Sequence, residues 1–145
     1  MNQKSFLATL FLAVLCSAIA FAQSPIGTWK TIDDATGEAK SYVEIYEENG
    51  KICGKVTKLL LKPADSICEN CPGDLKNTPV VGLQIIKDLV AYKDYWSYGK
   101  IMDPENGKTY KCNVWFEDGN TDELHLRGYI GMAALGRNQK WHRVK

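Results

Sequence analysis

The chain has 145 residues, with 18 basic and 17 acidic side chains and a formal net charge of +1. That balance, with no run of one sign along the sequence, gives no basic footprint for nucleic acid and none for electrostatic docking on a membrane. Nothing in the chain matches G-x-S-x-G, a phosphate-binding loop or H-E-x-x-H, so no enzyme class is indicated and no catalytic residue or cofactor is expected.

Residues 1–22 read as a secretory leader. Lys4 supplies a positive start, Phe6 to Phe21 an apolar run, and Ala20-Phe21-Ala22 a small-residue cleavage site. The run is short for a bilayer span, and no other stretch is long enough to form an integral membrane span. Loss of Lys4 with the leader leaves acidic and basic residues balanced. The expectation is an exported protein, periplasmic or secreted. Residues 23–145 suffice for one domain burying roughly two-thirds of its unfolded-chain surface.

Short β-rich runs separated by Gly, Asn and Asp follow, with no long helix-period run, and predict strands at 27–32, 40–48, 51–59, 79–87, 96–102, 108–117, 122–130 and 138–144. Eight strands suit a small antiparallel β-barrel, whose closure removes exposed edges. The first carries Gly27-Thr28-Trp29, and the last carries Trp141 and Arg143 two apart. This Gly-x-Trp resembles the opening of lipocalin-like barrels. Trp29, Trp141 and Arg143 are therefore the expected barrel-closing residues, with the guanidinium stacked on the indole of Trp29.

Asn49-Gly50 predicts a tight hairpin with Glu48 facing Lys51, Tyr46 facing Cys53, Glu44 facing Lys55 and Val43 facing Val56. From Trp96 to Ile130 one face collects Ile101, Tyr110, Cys112, Val114, Phe116, Leu124, Leu126 and Ile130. The other collects Trp96, Tyr98, Asn113, Trp115, His125, Arg127 and Tyr129, a large aromatic surface that lines a cavity, packs under a loop or meets a partner. Two longer connections remain, 60–78 and 88–95, and the second is a candidate lid over one barrel mouth.

Four cysteines lie beyond the leader: Cys53, Cys68, Cys71 and Cys112. An oxidising compartment favours a structural disulfide, with Cys68 and Cys71 the candidates, although sequence leaves three pairings open. Zinc and redox roles for Cys68-Glu69-Asn70-Cys71 are weaker readings. A redox pair normally opens a helix, and alternation puts Cys53 and Cys112 on opposite kinds of face, which disfavours a four-cysteine metal site. His125 and His142 lie in no nucleophile or metal motif, and the acidic pairs flank turns. Arg127 has two readings, a bond to Asn113 across the strands or a head-group contact for an anionic ligand.

Several motifs occur together and in order: Gly27-Thr28-Trp29-Lys30-Thr31, Gly82-Leu83, Tyr98-Gly99-Lys100-Ile101-Met102-Asp103-Pro104, Gly107-Lys108-Thr109-Tyr110, Arg127-Gly128-Tyr129-Ile130-Gly131 and Gly136-Arg137-Asn138-Gln139-Lys140-Trp141-His142-Arg143. From Gly27 to Arg143 the chain resembles the small exported bacterial family called domain of unknown function 2147. Members often carry threonine where Asn138 stands, and the cysteines resemble those of a subset. The resemblance implies a lipocalin-like barrel in the envelope or outside the cell, and implies no activity.

The expected function is a non-catalytic binding module for a small apolar or amphipathic ligand of lipid or acyl type. Its candidate lining is Trp96, Tyr98, Trp115, Arg127 and Tyr129, with Tyr92 or Tyr95 from the lid. The alternative is a filled barrel whose aromatic face docks an envelope protein or polymer. Neither reading involves nucleic acid.

Overall fold

The computed structural model describes residues 23–145, and the leader read at 1–22 lies outside the described residues. Eight strands run as β1 (Gly27–Ile32), β2 (Ala39–Glu48), β3 (Lys51–Leu59), β4 (Gln84–Tyr92), β5 (Tyr95–Met102), β6 (Thr109–Trp115), β7 (Glu123–Tyr129) and β8 (Arg137–Arg143). Each pairs antiparallel with its neighbour in sequence, and β8 returns to β1, closing the barrel. Period-two alternation sends Trp29, Val43, Ile45, Val56, Val114, Leu124 and Leu126 inward, all at most 3% exposed.

The β2–β3 hairpin has the expected register, Glu48 opposite Lys51 through Val43 opposite Val56. Asn49 and Gly50 both take positive φ at its turn, as a type I′ turn demands.

Two bulges correct the sequence reading. Asp88 on β4 (φ 62°) and Tyr98 on β5 (φ 61°) are non-glycine residues with left-handed backbone. Each inserts one residue and moves the next inward position from two to three residues away. Ile86 and Leu89 therefore both point inward with no exposure, and Trp96 and Gly99 both face β6 residues of the inner face, Val114 and Cys112. The fourth strand consequently spans 84–92 rather than 79–87. Segment 88–95 is not a lid: it is the second half of β4 and a two-residue turn into β5, with Tyr92 opposite Tyr95. A Cβ on Gly99 would lie 2.5 Å from the Lys87 carbonyl oxygen, so the two bulged strands approach too closely there for any side chain.

The connection between β3 and β4 folds against the barrel and carries its own hydrogen bonds. Cys68 N–H donates to Thr78 O at 2.8 Å, Asn77 N–H to Cys68 O at 2.8 Å, and Val80 N–H to Ser66 O at 3.0 Å. Cys68, Cys71, Val80 and Leu83 join the core. Cys68 and Cys71 form a disulfide, whereas Cys53 and Cys112 are buried free thiols on opposite faces of the wall.

Candidate functional site

The two ends of the barrel differ. At one end Trp29 is fully buried, with its ring 6.1 Å from Phe116, and Phe116 lies 5.9 Å edge-on to Trp96. The Arg143 guanidinium sits 4.3 Å over the Trp29 ring and donates to the carbonyls of Thr121, Ile26 and Ser24 at 2.9, 3.0 and 3.2 Å. Trp29 Nε1 donates to Pro25 O at 2.8 Å. A Cβ on Gly27 would come within 2.6 Å of Arg143 Nη1, which is why glycine precedes this tryptophan by two. Trp29 and Arg143 thus seal this end against the incoming chain. Trp141 does not take part. It lies one inward position farther along β8, opposite Leu124, and its Nε1 donates to Gln139 Oε1 at 3.1 Å.

At the other end the barrel is open. A cavity of about 570 Å³ enters between the β1–β2, β3–β4 and β5–β6 connections. Its inner wall includes Val56, Met102, Cys112, Leu126 and Trp141, with a polar pair on one side, Thr31 and Ser41, whose hydroxyls lie 2.7 Å apart. Small side chains leave this space: Ser41 on β2, Cys112 on β6 and, opposite Cys112 on β7, Gly128 with none. The barrel is therefore not filled, contrary to the premise of the alternative reading. Burial pushes the Cys112 thiol up to about 12, because a thiolate there would lose its hydration.

The rim is polar and tied down. The connections after β1 and β5 close in the same way: Gly37 N–H donates to Asp33 O and Gly107 N–H to Asp103 O, both at 2.8 Å. The Thr36 amide, donating to the Asp33 side chain, holds that carboxyl below the usual range. Glu105 bridges two lysines, Lys40 at 3.0 Å and Lys62 at 3.3 Å. The Lys40 ammonium, followed by that of Lys62, lowers the Glu105 carboxyl. Arg137 pairs with Asp34, which also accepts from Gln139 Nε2 at 3.1 Å. The disulfide abuts this rim, with Cys71 Sγ 3.9 Å from Met102 Sδ and Cys68 Sγ 3.3 Å from Pro104 O. Leu61 and Ile67 add exposed apolar side chains to the mouth.

The residues expected to line the cavity lie elsewhere. Tyr98 is 69% exposed on its bulge. Trp115 lies on the outer face, stacked 5.6 Å from His125, which is held between Glu123 at 3.0 Å and Glu117 at 3.5 Å. Tyr129 is outside, opposite Lys111. Arg127 is also outside and does not bond Asn113. Its guanidinium donates to Ala133 O, Ala134 O and Asn138 Oδ1, holding the β7–β8 loop in shape. Trp96 alone turns inward, into the filled half rather than the cavity. Ring contacts group Tyr92, Tyr95 and Tyr98 into an outer cluster. The true lining was half visible in the sequence, as the apolar face from Ile101 to Leu126; the small residues that open it, Ser41, Cys112 and Gly128, were its signal.

Among the described residues, no cluster of three His, Cys, Asp or Glu side chains could hold a metal ion, and no helix is long and apolar enough to cross a membrane. The Cys68–Cys71 bridge precedes only a single 3-10 turn, Gly73–Leu75, so no helix N-terminus is present to activate a thiol.

No curated protein matches the sequence. The solved structure of protein HP1028 from the human pathogen Helicobacter pylori, described as belonging to the lipocalin family, matches with a TM-score of 0.73 at 22% identity, covering 84% of each chain. That likeness is one of fold, and the fold is lipocalin-like. The family model described as "Uncharacterized protein conserved in bacteria (DUF2147)" matches residues 27–143, nearly the whole of the described chain. With the Gly27–Trp29–Arg143 closure, the single-mouthed barrel and that match together, the chain belongs to the bacterial family DUF2147.

Proposed function

We propose that this protein is a non-catalytic binding module that takes a small apolar or amphipathic molecule, of lipid or acyl type, into the open end of its barrel. The observation that carries the reading is the cavity of about 570 Å³, apolar within and charged at the rim. Its size falls in the range of pockets that enclose small organic ligands, and an amphipath would bury its chain against Val56, Leu126 and Trp141 while its head stayed among the rim charges. A periplasmic or secreted location, the expectation from the leader read at residues 1–22, belongs to the same proposal.

Mass spectrometry of protein exported by its native host tests the reading, once under native conditions and once denatured. A native mass greater by a few hundred daltons, lost on denaturation, is the expected result. Equal masses, together with no uptake of an added fluorescent fatty acid, would reject it.

A further inference from the structure

The pairing of β4, β5 and β6 produces a feature that no stretch of the sequence displays. Lys87 stands directly opposite Lys100, and Lys100 directly opposite Lys111. All three are exposed on the outer wall, one per strand, in a line across the sheet. Neighbouring strands lie about 4.8 Å apart, so the line is a ladder of ammonium-bearing stems at that step. Like charges directly opposite each other oppose sheet formation. Elsewhere Lys40, Lys55, Lys62, Lys140 and Lys145 each reach a carboxylate. Among the described residues the three ladder lysines, like Lys30, Lys51, Lys58, Lys76, Lys93 and Lys108, make no such pair; what sets the three apart is their alignment in one row across the sheet.

Aromatic rings flank the ladder. Tyr129 stands opposite Lys111 at its β7 end. Tyr98 precedes Lys100 by two on β5, 69% exposed, with Tyr92 5.5 Å away and itself 37% exposed. Tyrosine presents a flat ring and a hydroxyl at low conformational cost, a surface suited to stacking on another ring.

We propose that the outer face of β4–β6 docks an acidic polysaccharide. Lys87, Lys100 and Lys111 would pair with successive carboxylate or sulfate groups along the polymer, and Tyr98 and Tyr92 would stack on its sugar rings. A linear row of cations fits a linear polyanion better than a single anion, and the rings ask for a partner with ring faces. An acidic glycan and single-stranded nucleic acid both offer these features. We commit to the glycan because the leader read at residues 1–22 would carry the chain out of the cytoplasm, where acidic polysaccharides are met. The inference concerns the outer wall alone and does not depend on what the cavity holds.

The test uses the full mature chain, with polygalacturonate as probe, neutral dextran as control and an oligo-dT of about 15 nucleotides as competitor class. The wild type should bind polygalacturonate and not dextran, and log affinity should fall with log salt with a slope of about two, as three neutralised charges require. The triple variant Lys87→Gln, Lys100→Gln, Lys111→Gln should lose tenfold or more and flatten the salt slope. Its melting temperature should be equal or higher, because like-charge contacts have gone. The single variant Lys100→Gln should lose severalfold. Tyr98→Ser should weaken binding without changing the slope. Wild-type affinity in the triple variant, no binding by the wild type, or oligo-dT held as tightly as polygalacturonate would each overturn the proposal.

Discussion

Gly128 is the position at which the cavity can be blocked without disturbing the wall. It sits on β7 between Cys112 and Arg137, its backbone is ordinary strand, and a Cβ there would meet Tyr110 Cβ at 3.5 Å and Ile101 Cγ2 at 3.7 Å, normal packing distances. Gly128→Ala should therefore fold well and change stability by less than about 1 kcal/mol. Gly128→Phe sends a ring onward into the space that an acyl chain would occupy. Displacing three or four ligand methylenes at about 0.8 kcal/mol each removes roughly 2.4–3.2 kcal/mol of binding, a loss of roughly 60- to 200-fold. The assay is titration with a fluorescent fatty acid, read by energy transfer from Trp141, which lines the cavity and is 2% exposed. Circular dichroism and melting of both variants report whether the barrel is intact. Wild-type affinity in a folded Gly128→Phe protein would refute the reasoning, since no chain could then be lying against Tyr110 and Trp141.

Two further predictions concern the closed end and the buried thiol. Gly27→Ala combines a φ of 141° with a collision at Arg143 Nη1, and should cost about 2–4 kcal/mol by displacing a guanidinium held by three carbonyls; a melting temperature within about 2 °C of wild type would contradict that closure. For Cys112 burial holds the thiol neutral to about 12 in the folded chain, whereas an unfolded chain ionises it near the ordinary thiol value of 9.0. The unfolded state then sheds its proton first, so stability is unaffected below about pH 8 and falls between about pH 9 and 12 by up to about 1.4 kcal/mol per pH unit. Urea unfolding of wild type and Cys112→Val at pH 8 and pH 10.5 should show the wild type losing about 1–2 kcal/mol more than the variant; equal losses would mean that the thiol is not shielded.

What the sequence made legible followed from local rules that agreed with one another. Asn49-Gly50 and the alternation on both sides of it fix the β2–β3 register residue by residue. The Trp29–Arg143 closure was readable from Gly27-Thr28-Trp29, which resembles the opening of lipocalin-like barrels, and from Arg143 on the last strand, although Trp141 was wrongly grouped with them. The candidate site was less legible for a specific reason. Strict alternation grouped Trp96 with Tyr98 and Trp115, but the bulge at Tyr98 turned Trp96 inward and left its fellows outside. Nothing in Ser97-Tyr98-Gly99 announces a left-handed tyrosine, and the close approach of Gly99 to Lys87 and Leu89 beside the bulge is visible only once the strands are paired. Alternation also separates two faces without saying which is inner. That decision is made by closure, once eight strands curve so that Cys112, Val114, Leu124 and Leu126 meet. The lysine ladder was hidden for the same kind of reason: residues 87, 100 and 111 are far apart in sequence and become neighbours only through strand register.

The cavity and the ladder share three strands, β4, β5 and β6, and are linked through single peptide steps on β5 and β6. Ile101 and Cys112 line the cavity beside Lys100 and Lys111, which face out. Both features act against stability. Gly128 and Cys112 leave space that larger side chains could fill, and each like-charge pair opposes its strand pairing by about 0.2–1 kcal/mol. Sequence changes that would remove these costs are simple: a threonine in place of Lys100, or a leucine in place of Gly128. The closed half of the same barrel shows none of this slack, with Trp29, Phe116 and Trp96 in ring-to-ring contact and Arg143 held by three backbone carbonyls. Destabilising features are thus concentrated in one half of an otherwise well-packed wall, where side chains alternate between an inner space and an outer charge row. That distribution is what binding on both surfaces would maintain and what selection for stability alone would erode.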